Sequence, residues 1–363
     1  MTLVIMYLYK KTRASYRMTS LHSLEKNNFD ITRITLALIV VFVHIATLTK
    51  NTNLINLTQS LYLDSDFAVK GFFAISGFLV MQSYVRSRSL LDFAEKRIRR
   101  IYPAYLGVIF FCLLLGALTS ELRIIDFVQS SQTWKYLISN LLFLNFLQHT
   151  LPGTFEHNSI SSMNGSLWTI KIEVALYCFV PMIYFLFNKL GKTLSTLALI
   201  AASIFWVYFF LNIYDGRHAE EISRQFPGQL SYFVLGAYFS QNKAMLDRIG
   251  LITILSYLFF VFTRNTAIST ASMPLFYSSI VIYLSTSFIK NLNIGKYGDL
   301  SYGIYLYHFP IIQVLIWTGL YESYPLLSFA LTLCLTIIIA WLSWHFIEKK
   351  LLKRSSHYIA NCS

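Results

Sequence analysis

Arg33 and His44 lie in an apolar stretch that reads ITRITLALIVVFVHIATL. An eleven-residue step along a helix is about three turns, roughly 16 Å of rise with only about 20° of net rotation. On a helix the guanidinium and the imidazole therefore share one stripe at two depths. Ionisable groups inside a membrane segment are costly, so they face a partner, a cavity or a substrate path. A neutral imidazole so placed can take a proton from a hydroxyl, or carry a transferred group on its own nitrogen.

Four further stretches hold candidates. In GSLWTIKIEVALY (165–177), Trp168 suits the outer membrane interface. Glu173, five residues on, lies about 7–8 Å deeper, which matches the depth expected of His44. A carboxylate beside an imidazole fixes its tautomer and raises its basicity; a purely structural His–Glu bond between helices would use the same pair. In FAEKRIRRIYPAY (93–105), Arg97 and Arg100 share a helix face. Paired guanidinium forks suit phosphate, although cytoplasmic positive charge alone would also place arginines there. In GFFAISGF (71–78), Gly71, Ser76 and Gly77 allow close approach of helices. In DLSYGIYLYH (299–308), Asp299 or Ser301 can cap a helix on which Ser301, Tyr305 and His308 share one face.

These residues need apolar scaffolding, and the composition supplies it. Of 363 residues, 55% are hydrophobic and 13% charged, against about 25% charged in soluble domains. The expectation is an all-α, polytopic transmembrane helix bundle. Apolar runs fall near 31–48, 67–83, 101–119, 136–150, 167–187, 194–213, 227–240, 249–263, 273–289, 301–320 and 326–347. The runs 136–150 and 227–240 are short for a core about 30 Å thick. With 136–150 as an outer loop or re-entrant element, about ten spans remain and both termini share one side. The basic residues then divide twenty-one to six, which makes that side cytoplasmic. The net charge of +13 is thereby a topology signal spread over short loops, and no nucleic-acid partner is implied. Cys112, Cys178, Cys334 and Cys362 show no paired spacing, so neither disulfides nor a metal site is expected. The opening MTLVIMYLYKKTRASYR places its apolar part before its basic part, the reverse of a signal peptide. It reads as an amphipathic surface segment or as an extension upstream of Met18.

Together these motifs resemble the acyltransferase-3 family of integral membrane O-acyltransferases. The likeness rests on FDITRITLALIVVFVH, GFFAISGF, the Arg97–Arg100 pair before IYPAY, SLWTIKIEVALY, LSYGIYLYH and WHFIEKK, in that order over residues 28–350. It implies a cytoplasmic N-terminal segment (1–27), an acyltransferase membrane domain (28–350) and a cytoplasmic tail (351–363). It also implies a bacterial cytoplasmic (inner) membrane, with an acyl group, usually acetyl, passing from cytoplasmic acyl-CoA to a carbohydrate hydroxyl. Acetyl-CoA would be a substrate rather than a bound cofactor. The surface-polysaccharide members suggest O-antigen or its lipid-linked precursor as the acceptor. By the resemblance His44 is catalytic and Arg33, Arg97 and Arg100 serve the donor, while the matched depth makes Glu173 the candidate catalytic partner of His44. Ser76, Trp168, Tyr305 and His308, read from the pattern of residues, are supporting candidates. Lys350 stands where the family often has proline, and the chain lacks the hydrolase-like domain that some members carry. A transporter or flippase for a lipid-linked sugar is the rival that buried Arg, His and Glu also suit.

Overall fold

The computed structural model describes residues 28–288 and 298–352. The expected N-terminal segment, residues 353–363 of the tail, and Lys290 and Lys296 of the charge count lie outside the described residues. Within these bounds every regular element is helical. The main helices are α1 (Phe29–Thr49), α2 (Ser65–Arg86), α3 (Leu90–Thr119), α4 (Ser131–Leu141), α5 (Trp168–Lys189), α6 (Lys192–Asn212), α7 (Phe226–Gln241), α8 (Ile249–Thr263), α9 (Ser269–Tyr283), α10 (Leu300–Trp317) and α11 (Pro325–Ser343). Short helical turns join several of them.

Seven of these are long and apolar enough to cross a membrane: α1, α2, α3, α5, α6, α10, and α11 with its continuation to Leu351. The chain is thus a multi-pass membrane protein. Three of the expected spans fall on α7, α8 and α9, which have only 16, 15 and 15 residues. A π-helical stretch, Leu284–Phe288, extends α9. The run 136–150 forms no single helix: α4 ends at Leu141, and a 3₁₀ turn at Asn145–Leu147 follows.

The chain divides into two compact units. Among the described residues, one holds 33–69, 95–175 and 298–352; the other holds 28–32, 70–94 and 176–288. Within the second unit, the Lys192 ammonium donates to the Gln241 carbonyl, and Ser203 donates to the Gly228 carbonyl at 3.2 Å. Helix α7 therefore runs back along α6 over nearly its whole length. Ser256 meets Ser279 at 2.9 Å and Thr263 meets Ser272 at 2.6 Å, which makes α8 and α9 an antiparallel pair. The Lys70 ammonium lies 3.4 Å from the Met273 sulfur, and Phe29, which packs on Phe78, follows an Asn28 amide that donates to Ser285. Helix α9 with its π extension thus runs the same way as α2. Glycine permits one close approach here, since a Cβ on Gly77 would overlap the Phe233 carbonyl and one on Gly236 the Ala74 carbonyl.

In the first unit α10 is the central element. Asp299 caps it, and fourteen of its eighteen residues are buried. Arg33 reaches Asp299 and His44 reaches His308, so α1 lies parallel to α10. Tyr302 donates to the Ile101 carbonyl at 3.2 Å, while a Cβ on Gly107 would sit 2.8 Å from the Tyr307 hydroxyl. Helix α3 is therefore parallel as well. The start of α5 runs the other way, with Ser166 at His308 and Thr169 at Tyr305.

Parallel packing of α1 and α10 requires an odd number of crossings between them. The long helices α2, α3, α5 and α6 supply an even number, so an odd number of the shorter helices must cross too. If all three cross, Asp215→Cys and Asn265→Cys in a cysteine-free background should react with an impermeant thiol reagent from one face, and Ala244→Cys from the other. Reaction of all three from the same face would remove α7 and α8 from the crossings.

Candidate active site

The site forms at two levels of α10, and each level answers a cost set by the sequence. At the lower level a charged cluster surrounds the helix start. Both Arg33 and Arg100 donate to the same Asp299 carboxylate oxygen, and Arg100 also reaches Glu348 at 3.5 Å. The two carboxylates are 0% and 2% exposed, the two guanidinium side chains 17% and 14%. The anions thus stand behind the cations and neutralise them, while the cations keep an accessible edge. Asp299 also accepts from the Ser301 amide at 3.2 Å, doing the work of a helix cap. Glu348 accepts from Ser343 at 3.2 Å, and Ser343 in turn meets the Tyr307 hydroxyl at 3.4 Å. The faces of Tyr302 and Trp344 lie 5.7 and 5.8 Å from the Arg100 guanidinium carbon, within cation–π range.

Nine residues further along α10, about 13–14 Å of rise, His308 meets His44. His44 Nδ1 and His308 Nε2 are 2.8 Å apart. The ring centres are 5.1 Å apart with planes 21° from parallel, so the imidazoles meet edge to edge. On its other side, His308 Nδ1 lies 3.0 Å from the Ile304 carbonyl, which can only accept. The proton of neutral His308 therefore sits on Nδ1, and its Nε2 is a lone pair. That lone pair must receive a proton from His44 Nδ1. His44 Nε2 is thereby left as the basic nitrogen, with no hydrogen bond to it among the described residues. This tautomer chain follows from heavy-atom geometry alone.

A proline holds the surrounding loop in register. Pro310 lacks an N–H, so the Leu306 carbonyl loses its helical donor. Asn164 supplies the missing donor at 2.9 Å, and its own side-chain oxygen accepts from the Ser166 amide at 3.0 Å. That arrangement puts the Ser166 hydroxyl 3.3 Å from His308 Nε2. The loop is tied further along by Gln313, which donates to the Ile160 and Ser162 carbonyls at 2.6 and 2.7 Å. Ser159 donates to the Leu48 carbonyl at 2.6 Å, one turn beyond His44. A polar loop thus overlies the histidine pair, in the place the sequence reserved for an outer element.

The structure brings several predicted residues together and separates others. His44, Tyr305 and His308 form one cluster; Tyr305 meets Thr169 at 2.8 Å and donates to the Ser166 carbonyl at 3.3 Å. Arg33 and Arg100 form the second cluster, and Arg97 lies half-buried one turn before Arg100. The imidazole partner of His44 is His308 rather than the expected Glu173. Trp168 opens α5. Ser76 belongs to the other unit, where it lies 3.4 Å from the Tyr177 hydroxyl. Sequence reasoning missed Glu348, Asn164 and Gln313, and it read Asp299 as a cap only. The demand for counter-ions to two intramembrane arginines, and for a donor below Pro310, were the signals available.

Comparison with known proteins now bears on this arrangement. The acyltransferase-3 family, described as an acyltransferase domain, matches residues 26–345. This chain belongs to that family. Among its relatives, an O-acetyl transferase of Shigella phage Sf6 is 27% identical over 80% of this chain and 85% of its own length. Nodulation protein 10 of Rhizobium leguminosarum bv. viciae is 26% identical over 92% of this chain and 95% of its own. O-acetyltransferase OatA of Staphylococcus aureus is 25% identical over 80% of this chain, which spans 52% of that longer protein. No solved structure matches. The acyltransferase-3 assignment makes the protein a membrane acyltransferase, and both clusters lie inside the matched domain apart from Glu348.

Removing one partner of a buried ion pair costs about 3–5 kcal/mol. Asp299→Ala should therefore lose stability on that scale in thermal or denaturant unfolding of the solubilised protein, and Asp299→Asn should lose less. Wild-type stability in Asp299→Ala would show that the cluster does not hold these helices.

Proposed function

We propose that this acyltransferase-3 protein moves an acyl group, most simply acetyl, from cytoplasmic acyl-CoA to a carbohydrate hydroxyl. The acceptor class proposed is a bacterial surface polysaccharide such as O-antigen or its lipid-linked precursor. On this reading the protein lies in the bacterial cytoplasmic membrane, with the Arg100 end of α3 facing the cytoplasm and the His44 end of α1 outward. The observation that carries the proposal is the chain Ile304–His308–His44, which leaves a lone pair on His44 Nε2. The names of the Shigella phage and Staphylococcus relatives support acetyl as the group and oxygen as the acceptor atom.

The chemistry follows from that lone pair. His44 Nε2 takes the proton from the acceptor hydroxyl as its oxygen attacks the thioester carbonyl carbon. The new C–O bond forms, the C–S bond breaks, and the departing sulfur takes the proton back from His44. In the interval His44 is an imidazolium, and His308 Nε2 accepts a stronger, charge-assisted hydrogen bond from its Nδ1–H. His308 thus does for His44 what an aspartate does in a serine-hydrolase triad, but without a formal charge that a membrane interior would penalise. At the other level, the accessible guanidinium edges of Arg33 and Arg100, with Arg97 beside them, suit the phosphates of a CoA donor. The carboxylates behind them hold the forks in place.

Purified wild-type protein should release thiol from acetyl-CoA when candidate glycans are supplied, and His44→Ala should abolish that release while remaining folded. His308→Ala should lower kcat by about 10²–10⁴, the span of general acid–base catalysis, with little change in donor KM. Arg97→Ala should instead raise donor KM. Wild-type turnover in folded His44→Ala protein would overturn the proposal.

A further inference from the structure

The stretch between α3 and α5 has its polarity inside out. On α4 the exposed stripe is Trp134, Ile138 and Leu142, at 52%, 55% and 62% exposure. The buried side is Thr133, Tyr136 and Asn140. A helix resting on a protein in water buries the first set and exposes the second. The opposite arrangement is stable where the outer solvent is hydrocarbon. The apolar exposure is also continuous with that of α3, whose Phe110, Leu114 and Leu118 are 57%, 58% and 69% exposed.

Contacts along α3 show how far this stretch descends. A Cβ on Gly116, near the end of α3, would lie 3.2 Å from Phe127. Tyr105 donates to the Asn140 carbonyl at 2.9 Å, and its ring stacks on Phe143 at 4.5 Å. Tyr102 donates to the Leu141 carbonyl at 3.4 Å. Phe143 then reverses the chain with a positive φ of 60°. The return limb climbs the same helix: Gln132 binds Thr150 at 3.1 Å, Leu151 packs against Gly116, and Ser120 donates to the Pro152 carbonyl at 2.8 Å. From Thr119 down to Tyr105 is about 21 Å of helix, so the tip passes well below the middle of a core about 30 Å thick.

We infer that residues 124–152 form a re-entrant hairpin in the bilayer, with its Trp134–Ile138–Leu142 stripe against lipid acyl chains. Helix directions require the return. Helix α3 runs with α10 and α5 runs against it, so the segment joining them leaves and re-enters on one face of the membrane. Lys135, exposed beside Trp134, has a stem long enough to carry its ammonium toward the headgroups. The return limb, a 3₁₀ turn followed by irregular backbone, is covered on the protein side, where Asn145, Leu151 and Pro152 are buried. This assignment is independent of the acyl-transfer reading.

The test uses the full-length protein in proteoliposomes of phosphatidylethanolamine and phosphatidylglycerol. Spin labels at Ile138→Cys and Leu142→Cys should collide with oxygen and be shielded from a water-soluble nickel chelate, as a label at Phe110→Cys on the spanning helix should be. Labels at Glu121→Cys and His157→Cys should be nickel-accessible, and both cysteines should react with an impermeant thiol reagent from the same face. Nickel access at Ile138 and Leu142 would make the segment an aqueous loop and overturn the inference. Exclusion of both reagents would mean a protein partner and overturn it equally, and reaction of Glu121→Cys and His157→Cys from opposite faces would make it a crossing. Hydrogen exchange of the wild-type protein gives a check without substitutions: slow exchange over 131–142 is expected, and exchange as fast as that of the turn at 264–268 would contradict the assignment.

Discussion

A single carboxylate oxygen holds three helices of the first unit in register. Arg33 from α1 and Arg100 from α3 both donate to Asp299, the residue that caps α10. Two arginines in apolar helices are expensive alone. Shared on one acid, with Glu348 close to Arg100, they tie α1 and α3 together at the level where α10 begins. From that point the eleven residues to His44 and the nine to His308 run upward in parallel, and the imidazoles meet. The geometry of the histidine pair is set by where the charges are tied, because parallel helices fixed at one level are in register at the next.

The histidine pair shows why the membrane favours this kind of orienting group. A carboxylate beside His44 would hold its tautomer well but would bring a charge needing its own partner. His308 performs the same orientation as a neutral ring whose proton is fixed by a backbone carbonyl. Pro310, two residues beyond, converts the loss of one helical hydrogen bond into an anchor for Asn164, and so for Ser166. The irregular loop before α5 is held by side chains that meet a vacancy in the helix.

Much of this was legible in the sequence, for reasons specific to each residue. The Arg33–His44 spacing foretold one stripe at two depths because a continuous helix obeys fixed rise and rotation. The Ser301–Tyr305–His308 face was readable for the same reason. The partner of His44 was not: depth matching admitted Glu173, and only the packing direction of α10 selects His308. Asp299 was recognised as a cap from local pattern, whereas its bonds to residues 199 and 266 positions away are tertiary and leave no local trace. The shortness of α7, α8 and α9 and the descent of residues 124–152 likewise follow from packing. A hydropathy run records how apolar a segment is, and says nothing of whether it turns back.

Helix α10 has the lowest mean hydropathy of the seven long helices, 1.2 against 2.3 for α11, and the largest buried share, 78%. Such a segment gains less from lipid, since fourteen of its eighteen residues are buried against protein. Its place in the bilayer is therefore conferred by segments made earlier, which already carry Arg33, Arg100 and Asn164 when α10 leaves the ribosome. Helix α10 is a late arrival received by a prepared socket, and biogenesis of this chain places its least lipid-soluble span after the residues that make it soluble.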